Sequence, residues 1–498
     1  MNSIGRLTCC FGKGLPREEI TKMKTDIKDM TCGSPARLLL AFSMPLMLGN
    51  LFQQLYTFVD AVIVGRCVSA NALAALGATE WLTFIMFGVI QGITQGCSVV
   101  IAAYFGQKKT DSLQRAIYSG CLIAVVGAVV FTVIGQTVIE PMLKLLRTPT
   151  EVFALTRTYL RILYAGVPVT FLYNIAAAIL RALGNSRKPL YAMAIASVGN
   201  IAFDLLFVMG FNMGIAGAAY GTVAAQILAS AYCVAALVNL RIVEDGAVRE
   251  RTNGYDIKTF GVLREQSATN KISKICRMID KQILREQIKM GIPMGIQNII
   301  TAIGGLVVQA TVNGFGVLFL TGYAAANKLY VLLEIAATSY GHGALTYTAQ
   351  NKGANYDGRV REGLKAALSI GMATALVMSG IMVFAGEQIL GIFISETEAG
   401  LKEMIRIGCR YLRVLALGFP LLYCLYVLRS CIQGMGDAVS PMLSSLMQVF
   451  MRVACALLLT RFIGQEGVFW GEVFAWTLAD VFLGIICVRR LEKGGGKR

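Results

Sequence analysis

The segment Met44-Pro45-Leu46-Met47-Leu48-Gly49-Asn50 returns 248 positions later as Ile292-Pro293-Met294-Gly295-Ile296-Gln297-Asn298, with the proline and the asparagine in register. The match extends outward in order. Tyr159, Pro168, Gly184 and Pro189 correspond to Tyr411, Pro420, Gly436 and Pro441, each 252 positions on. Gly214, Gly217, Tyr220 and Gly221 correspond to Gly464, Gly467, Trp470 and Gly471, each 250 positions on. Three blocks in one order with nearly one offset identify an internal repeat, which reports architecture directly.

The repeated unit is built for lipid. The chain has 498 residues, of which 56% are hydrophobic and 15% charged, against about 25% charged in a soluble domain; its mean hydropathy is +0.62. A soluble chain of this length divides into several cores and needs more polar surface than this one holds. That excludes a soluble globular enzyme. A transmembrane helix needs about 20 mostly apolar residues, and twelve stretches qualify: 38–65, 79–105, 114–139, 155–182, 189–211, 215–240, 287–313, 325–350, 362–386, 408–434, 440–463 and 467–489. Six spans per half is an even number, so the halves share one orientation and are related by an axis along the membrane normal. The expected fold is an all-α polytopic membrane protein, with twelve transmembrane helices in two six-helix lobes. Its expected divisions are an N-terminal segment 1–33, an N-lobe 34–240, a basic linker 241–285, a C-lobe 286–490 and a tail 491–498.

The formal net charge of +17, from 46 basic and 29 acidic residues, raises nucleic acid as a partner. The distribution of charge argues against it, because the bases collect in short segments between apolar runs and no nucleic-acid motif accompanies them. On one side of the bilayer fall Lys108, Lys109 and Arg115, then Arg187 and Lys188, then the linker, then Lys352, Arg359, Arg361 and Lys365, and last Arg489, Arg490, Lys493, Lys497 and Arg498. The opposite loops are poorer, with Lys144, Arg147, Lys402 and Arg406 as exceptions. By the positive-inside rule both termini are expected in the cytoplasm. The segment from Met1 to Gly33 lacks an apolar run long enough for a secretory signal, and Ser34-Pro35 reads as the start of the first helix. In the linker, Ile272, Ile275, Cys276, Ile279 and Ile283 recur at helical spacing, which fits a basic amphipathic helix on the membrane surface or a solvated linker helix equally well. The 13 cysteines show no CxxC or metal-type spacing and read as small core- or lipid-facing residues.

An ionised side chain within a span is a functional hypothesis by default, since it costs several kcal/mol at mid-bilayer. Asp60 lies in Phe58-Val59-Asp60-Ala61-Val62-Ile63, preceded by Asn50, Gln53, Tyr56 and Thr57; Gln53, Thr57 and Asp60 form a polar stripe along the first span. Asp204 follows Asn200 by one turn in the fifth span, and Thr222 and Gln226 make a similar pair in the sixth. Asp60 and Asp204 can alternatively be read as capping a helix end or pairing with an interfacial base. Two carboxylates meeting in a poorly solvated pocket repel each other, and either a proton or a sodium ion relieves the repulsion.

The run Ser43-Met44-Pro45 through Phe58-Val59-Asp60 to Gly65, with Leu180-Arg181-Ala182-Leu183-Gly184-Asn185-Ser186-Arg187-Lys188-Pro189 and Gly214-Ile215-Ala216-Gly217, resembles the multidrug and toxic compound extrusion (MATE) family over nearly the whole chain. The resemblance implies twelve helices in two lobes and export of organic cations in exchange for protons or sodium ions. Within the family it is similar to the DinF-like branch, which places a cation site on Asp60, Asn200, Asp204 and Thr222. Acids that NorM-like members carry in the seventh and tenth spans are missing from 287–333 and 410–434. The repeat puts Arg452 opposite Asn200 and Glu472 opposite Thr222, and a buried ion pair between them is expected, with a structural role. Gln53, Tyr56, Thr57, Gln297 and Asn298 are candidates for the substrate cleft. His342, the one histidine, reads as a packed residue with proton relay as its alternative. Glu334 and Asp480 are intramembrane acids without an evident partner. Met44, Met47, Met193, Met209 and Met213 suit an adaptable wall or ordinary packing, and Pro45, Pro168, Pro293 and Pro420 are expected to bend their spans.

These features point to a secondary active antiporter, not an enzyme, exporting organic cations by alternating access. It is expected as a monomer among membrane lipids in the plasma membrane, a bacterial inner membrane. No cofactor is expected beyond the coupling ion, proton or sodium, and no metal beyond a sodium ion at the four-residue site. No Ser-His, HxxxH or CxxC constellation supports an enzyme, and no ring of pore-lining charge supports a channel. The alternative is a flippase or exporter of a lipid-linked or polar metabolite, for which Arg181 and Arg429 are the available basic residues.

Overall fold

The computed structural model describes residues 27–239, 279–393 and 400–495. Within them the chain is helical from end to end. Helices α1 (Pro35–Cys67), α2 (Ala70–Gly106), α3 (Thr110–Leu145), α4 (Thr150–Ala165), α5 (Val167–Ala182), α6 (Arg187–Asp204) and α7 (Gly214–Asn239) form the N-lobe. Helices α8 (Lys281–Asn313), α9 (Val317–Gly353), α10 (Asp357–Phe384), α11 (Gly386–Phe393), α12 (Leu401–Gly434), α13 (Val439–Ala454), α14 (Thr460–Ile463) and α15 (Glu466–Gly495) form the C-lobe. Ten of the described helical spans are long and apolar enough to cross a membrane, and α4 with α5 makes an eleventh, bent by 48°. The twelfth is α9, which is 37 residues long and carries Lys328, Glu334 and His342. The two-lobe, twelve-span architecture read from the sequence is the observed one; residues 1–26 and most of the basic linker lie outside the described residues.

The repeat extends to the turns. Gly184 and Gly436 adopt φ of +81° and +87° at matched positions, a backbone region that side chains with a Cβ rarely enter. One residue later, Asn185 Oδ1 accepts hydrogen bonds from the amides of Arg187 and Lys188, both at 3.1 Å, and Asp437 Oδ1 accepts from Val439 and Ser440 at 3.0 and 3.1 Å. Each satisfies the free first amides of the helix that follows. Burial pushes the Asp437 carboxyl up, but the Ser440 hydroxyl and amide and the Arg490 guanidinium outweigh it and hold the group below the ordinary carboxylate range.

Of the four matched prolines, Pro168 stands at a sharp break, beside Gly166. Pro45, Pro293 and Pro420 lie inside continuous helices. Ser34 occupies the N-cap of α1 with Pro35 behind it, yet its hydroxyl makes no capping bond. Sequence reading also missed two π-helical segments, Leu205–Gly210 after α6 and Cys455–Leu459 after α13, again 250 positions apart.

The lipid-facing surface is apolar, with Val125, Val129 and Val133 exposed along α3 and Leu376 and Val377 along α10. The C-lobe core is aromatic: Phe319 stacks on Phe469 at 5.7 Å and Tyr323 on Tyr411 at 4.8 Å. Between the lobes, α2 runs along α8. Gly92 and Gly96 meet Gly295 and Gly291 there, so closely that an added Cβ on either α2 glycine would overlap the α8 backbone. This is small-xxx-small packing, in which missing side chains let helix backbones approach. Asn298 Nδ2 donates to the Gly88 carbonyl at 2.6 Å along the same seam. On the other side, Leu39, Phe42 and Leu46 of α1 pack with Ala344 and Tyr347 of α9, and Asn50 Nδ2 donates to Ser339 Oγ at 3.4 Å. Past Asn50, Leu51, Phe52, Gln53, Leu55, Thr57 and Phe58 of α1 are exposed.

This seam yields a test. Gly96→Ala and Gly291→Ala should each lower the thermal unfolding midpoint of the purified protein, by about 1–3 kcal/mol of overpacking. Gly380→Ala in α10, where the added carbon meets no atom within 4 Å, should leave it unchanged or raise it slightly. Equal losses in all three variants would contradict a seam set by backbone approach.

Candidate functional site

Asp60 projects from α1 and Asp204 ends α6, and α6 packs against both α1 and α7. Asp60 is 8% exposed, Asn200 1% and Asp204 0%. The two carboxyl groups face each other as interacting neighbours. An ionised carboxylate only accepts hydrogen bonds, so neither can satisfy the other while both are charged. Asn200 Nδ2 donates to Thr222 Oγ1 at 3.4 Å, which leaves the Asn200 carbonyl oxygen for something else. Among the described residues no donor reaches Asp60 Oδ1, Asn200 Oδ1 or either oxygen of Asp204. Tyr56 of α1 and Tyr159 of α4 stand near the pair. Gly221 of α7 presses against Asp204 so closely that an added Cβ would overlap Oδ1.

Buried polar atoms are nearly always satisfied, and a buried charge is costly unless paired. Here oxygens from three helices converge: two carboxylates and the Asn200 carbonyl without a protein donor, and beside them the Thr222 hydroxyl, which accepts from Asn200 Nδ2. This is an oxygen-only donor set of the kind that suits a proton or a hard cation such as sodium. All four residues assigned by resemblance are therefore brought together.

The cleft candidates divide. Tyr56 faces the aspartates, and Gln53 and Thr57 are exposed on α1, where Thr57 Oγ1 donates to the Gln53 carbonyl at 3.0 Å. Gln297 is 6% exposed and accepts from Gln433 Nε2 at 3.1 Å, while Asn298 is spent on the seam with Gly88. Gln226 accepts from Thr170 Oγ1 at 2.6 Å. His342 is partnered across the seam by Gln95, 3.3 Å from its Nδ1. Among the methionines, Met44, Met209 and Met213 are exposed, and Met193 packs on Gly49.

The C-lobe inverts this chemistry. Arg452 Nη2 lies 2.6 Å from Glu472 Oε2, with side chains 14% and 13% exposed. Val308, 248 positions after Asp60, is buried and apolar. Glu334 accepts from the Tyr426 hydroxyl at 2.6 Å, and Arg429 lies 5.7 Å above the Tyr426 ring and donates to Ser445 Oγ at 3.3 Å. Among the described residues no donor reaches either oxygen of Asp480. Arg181 and Arg429 stand in different lobes, on α5 and α12.

A family model described as MatE matches residues 45–206 and again residues 293–458, one match per lobe. A probable multidrug resistance protein, YpnP, of Bacillus subtilis (strain 168) is 27% identical over 441 residues, covering 88% of this chain and 92% of the relative. The multidrug export protein MepA of Staphylococcus aureus (strain NCTC 8325 / PS 47) is 23% identical over 452 residues, covering 89% and 91%. A solved structure described as the outward-facing conformation of a multidrug resistance MATE family transporter of the MOP superfamily superimposes with a TM-score of 0.82 at 18% identity, covering 95% of this chain and 99% of that one.

The C-lobe pair predicts non-additive stability. Removing one partner strands a buried charge, so Arg452→Met and Glu472→Met should each destabilise the protein by about 3–5 kcal/mol, and the double variant should recover most of that loss. Thermal unfolding of the four proteins checks it; losses that simply add would refute the pair's mutual compensation.

Proposed function

The chain belongs to the MatE family of multidrug efflux transporters, and from that premise we propose that it is a secondary active antiporter exporting organic cations in exchange for protons or sodium ions. The coupling site is Asp60, Asn200, Asp204 and Thr222. What supports this reading is the pair of buried, facing carboxylates with no protein donor between them. When the ion binds, it neutralises the mutual repulsion and lets α1, α6 and α7 close around it. When it leaves, the carboxylates repel and the helices relax apart. A cationic drug meets the same negative pair, or favours the conformation in which the pair is empty of ion. Either is sufficient for exchange, because antiport requires only that ion and cargo prefer different states or compete for one site.

The four-residue donor set accommodates both ions. The carboxylates alone hold a proton, and the oxygens of Asn200 and Thr222 add neutral ligands for sodium. The protein is proposed to sit in the plasma membrane with its basic loops and both termini in the cytoplasm. The flippase alternative needs several basic groups in the cleft to meet pyrophosphate, whereas Arg429 is engaged by Ser445 and Tyr426 inside the C-lobe.

Efflux of a fluorescent organic cation from reconstituted vesicles tests the proposal. The wild-type protein should move it under a proton gradient alone or a sodium gradient alone, and the gradient that works identifies the ion. Asp60→Asn and Asp204→Asn should each reduce gradient-driven efflux at least tenfold while leaving expression and monodispersity intact. Undiminished transport in either variant would refute the assignment.

A further inference from the structure

The segment 27–33 precedes α1 without regular secondary structure. Irregular segments of this kind hold one conformation only when something ties them down. This one is tied to both lobes at once. Met30 N donates to Gln350 Oε1 at 2.9 Å, and its carbonyl accepts from Asn351 Nδ2 at 3.1 Å and from Arg359 Nη2 at 3.3 Å. The same Arg359 nitrogen donates to the Gly33 carbonyl at 2.9 Å, while Arg359 Nε donates to Asn351 Oδ1 at 3.0 Å. The Met30 side chain is fully buried among Leu39 and Phe42 of α1, Ala344 and Tyr347 of α9, and Val427 of α12. All of these anchors except the α1 residues belong to the C-lobe.

The N-lobe holds the other end. The Lys28 backbone lies directly on Gly184, in the turn between α5 and α6, where an added Cβ would overlap the Lys28 carbonyl. Gln350 completes the bridge: its Oε1 takes the Met30 amide while its Nε2 donates to the Ala182 carbonyl of α5 at 2.8 Å. One amide side chain thus joins the segment, α9 and the opposite lobe. The contact also contains an opposing term. Burial and the nearby Arg187 and Arg37 guanidiniums push the Lys28 ammonium below its ordinary range, so like charges are crowded together when the segment is docked.

We propose that residues 27–33 form a latch across the seam at this end of the molecule, holding the two lobes together there and releasing when they part. The contacts of Met30, Gln350 and Arg359 close it. The proposal rests on the alternating-access reading only in that the lobes separate at this end during the cycle.

Hydrogen–deuterium exchange on the full chain in lipid nanodiscs tests it without cargo or gradient, so a failed antiport assay leaves this test standing. Met30→Ser removes the segment's buried anchor from the cluster it shares with α1, α9 and α12, a loss worth at least tenfold in opening. Peptides covering 27–33, 182–186 and 347–353 should therefore exchange at least tenfold faster together, whereas Met30→Leu should retain wild-type protection. Arg359→Lys, which gives up the guanidinium's several contacts, should loosen the same three regions and carries the test if Met30→Ser misfolds. Exchange in α15 reports folding. Faster exchange in 27–33 with 182–186 and 347–353 unchanged would overturn the latch, since the segment would then be a passive cover.

Discussion

In a helix bundle surrounded by lipid, an ionised group without a partner is close to intolerable, and the two lobes meet that constraint in opposite ways. The C-lobe pairs Arg452 with Glu472 and bonds Glu334 to Tyr426, with Asp480 left as an acid that no donor reaches among the described residues. The N-lobe differs. It places Asp60 and Asp204 together, and no donor reaches three of their four carboxylate oxygens among the described residues. A charge paired within the protein, as Arg452 is by Glu472, needs no outside partner. One scaffold thus carries two different charge arrangements.

The seam between the lobes is set by close backbone approach. Glycines on α2 and α8 bring backbones into contact over a long stretch, and packed interfaces of this kind are bistable, not continuously deformable. The site lies on α1, α6 and α7, and α1 is also the helix that leaves the seam beyond Asn50. A change in the spacing of α1 and α6 therefore acts on a helix that touches both lobes. The prolines contribute less than their matched positions suggest, because a sharp break occurs only where Pro168 has Gly166 beside it.

Most of the fold was legible because its signals are long-range and redundant: apolar runs report spans, and a repeat reports lobes. Asp60 and Asp204 stood out as candidates for a related reason, since a carboxylate inside an apolar run has few structural uses. Their convergence was inferred from resemblance and not from spacing, as nothing in the chain states that α1 and α6 meet. Contacts between distant segments were the least accessible. Gln297 and Asn298 looked like cleft residues because they are polar within a span, but an amide can equally serve a seam or a neighbouring helix, and here it does. The docking of Met30 was invisible, because its partners are side chains 320 and more positions away. The π-helical segments were missed because a widened turn has no compositional mark.

Those segments carry a further consequence. A π turn accommodates one residue more than the α-helix around it, and such bulges concentrate at functional sites. One follows Asp204 directly, yet the other follows Ala454 in a lobe that holds no aspartate pair. The extra residue stands at the same place in both halves, whereas the charged residues around it differ between them. The widened turn therefore belongs to the shared backbone, whichever charges a lobe displays on it.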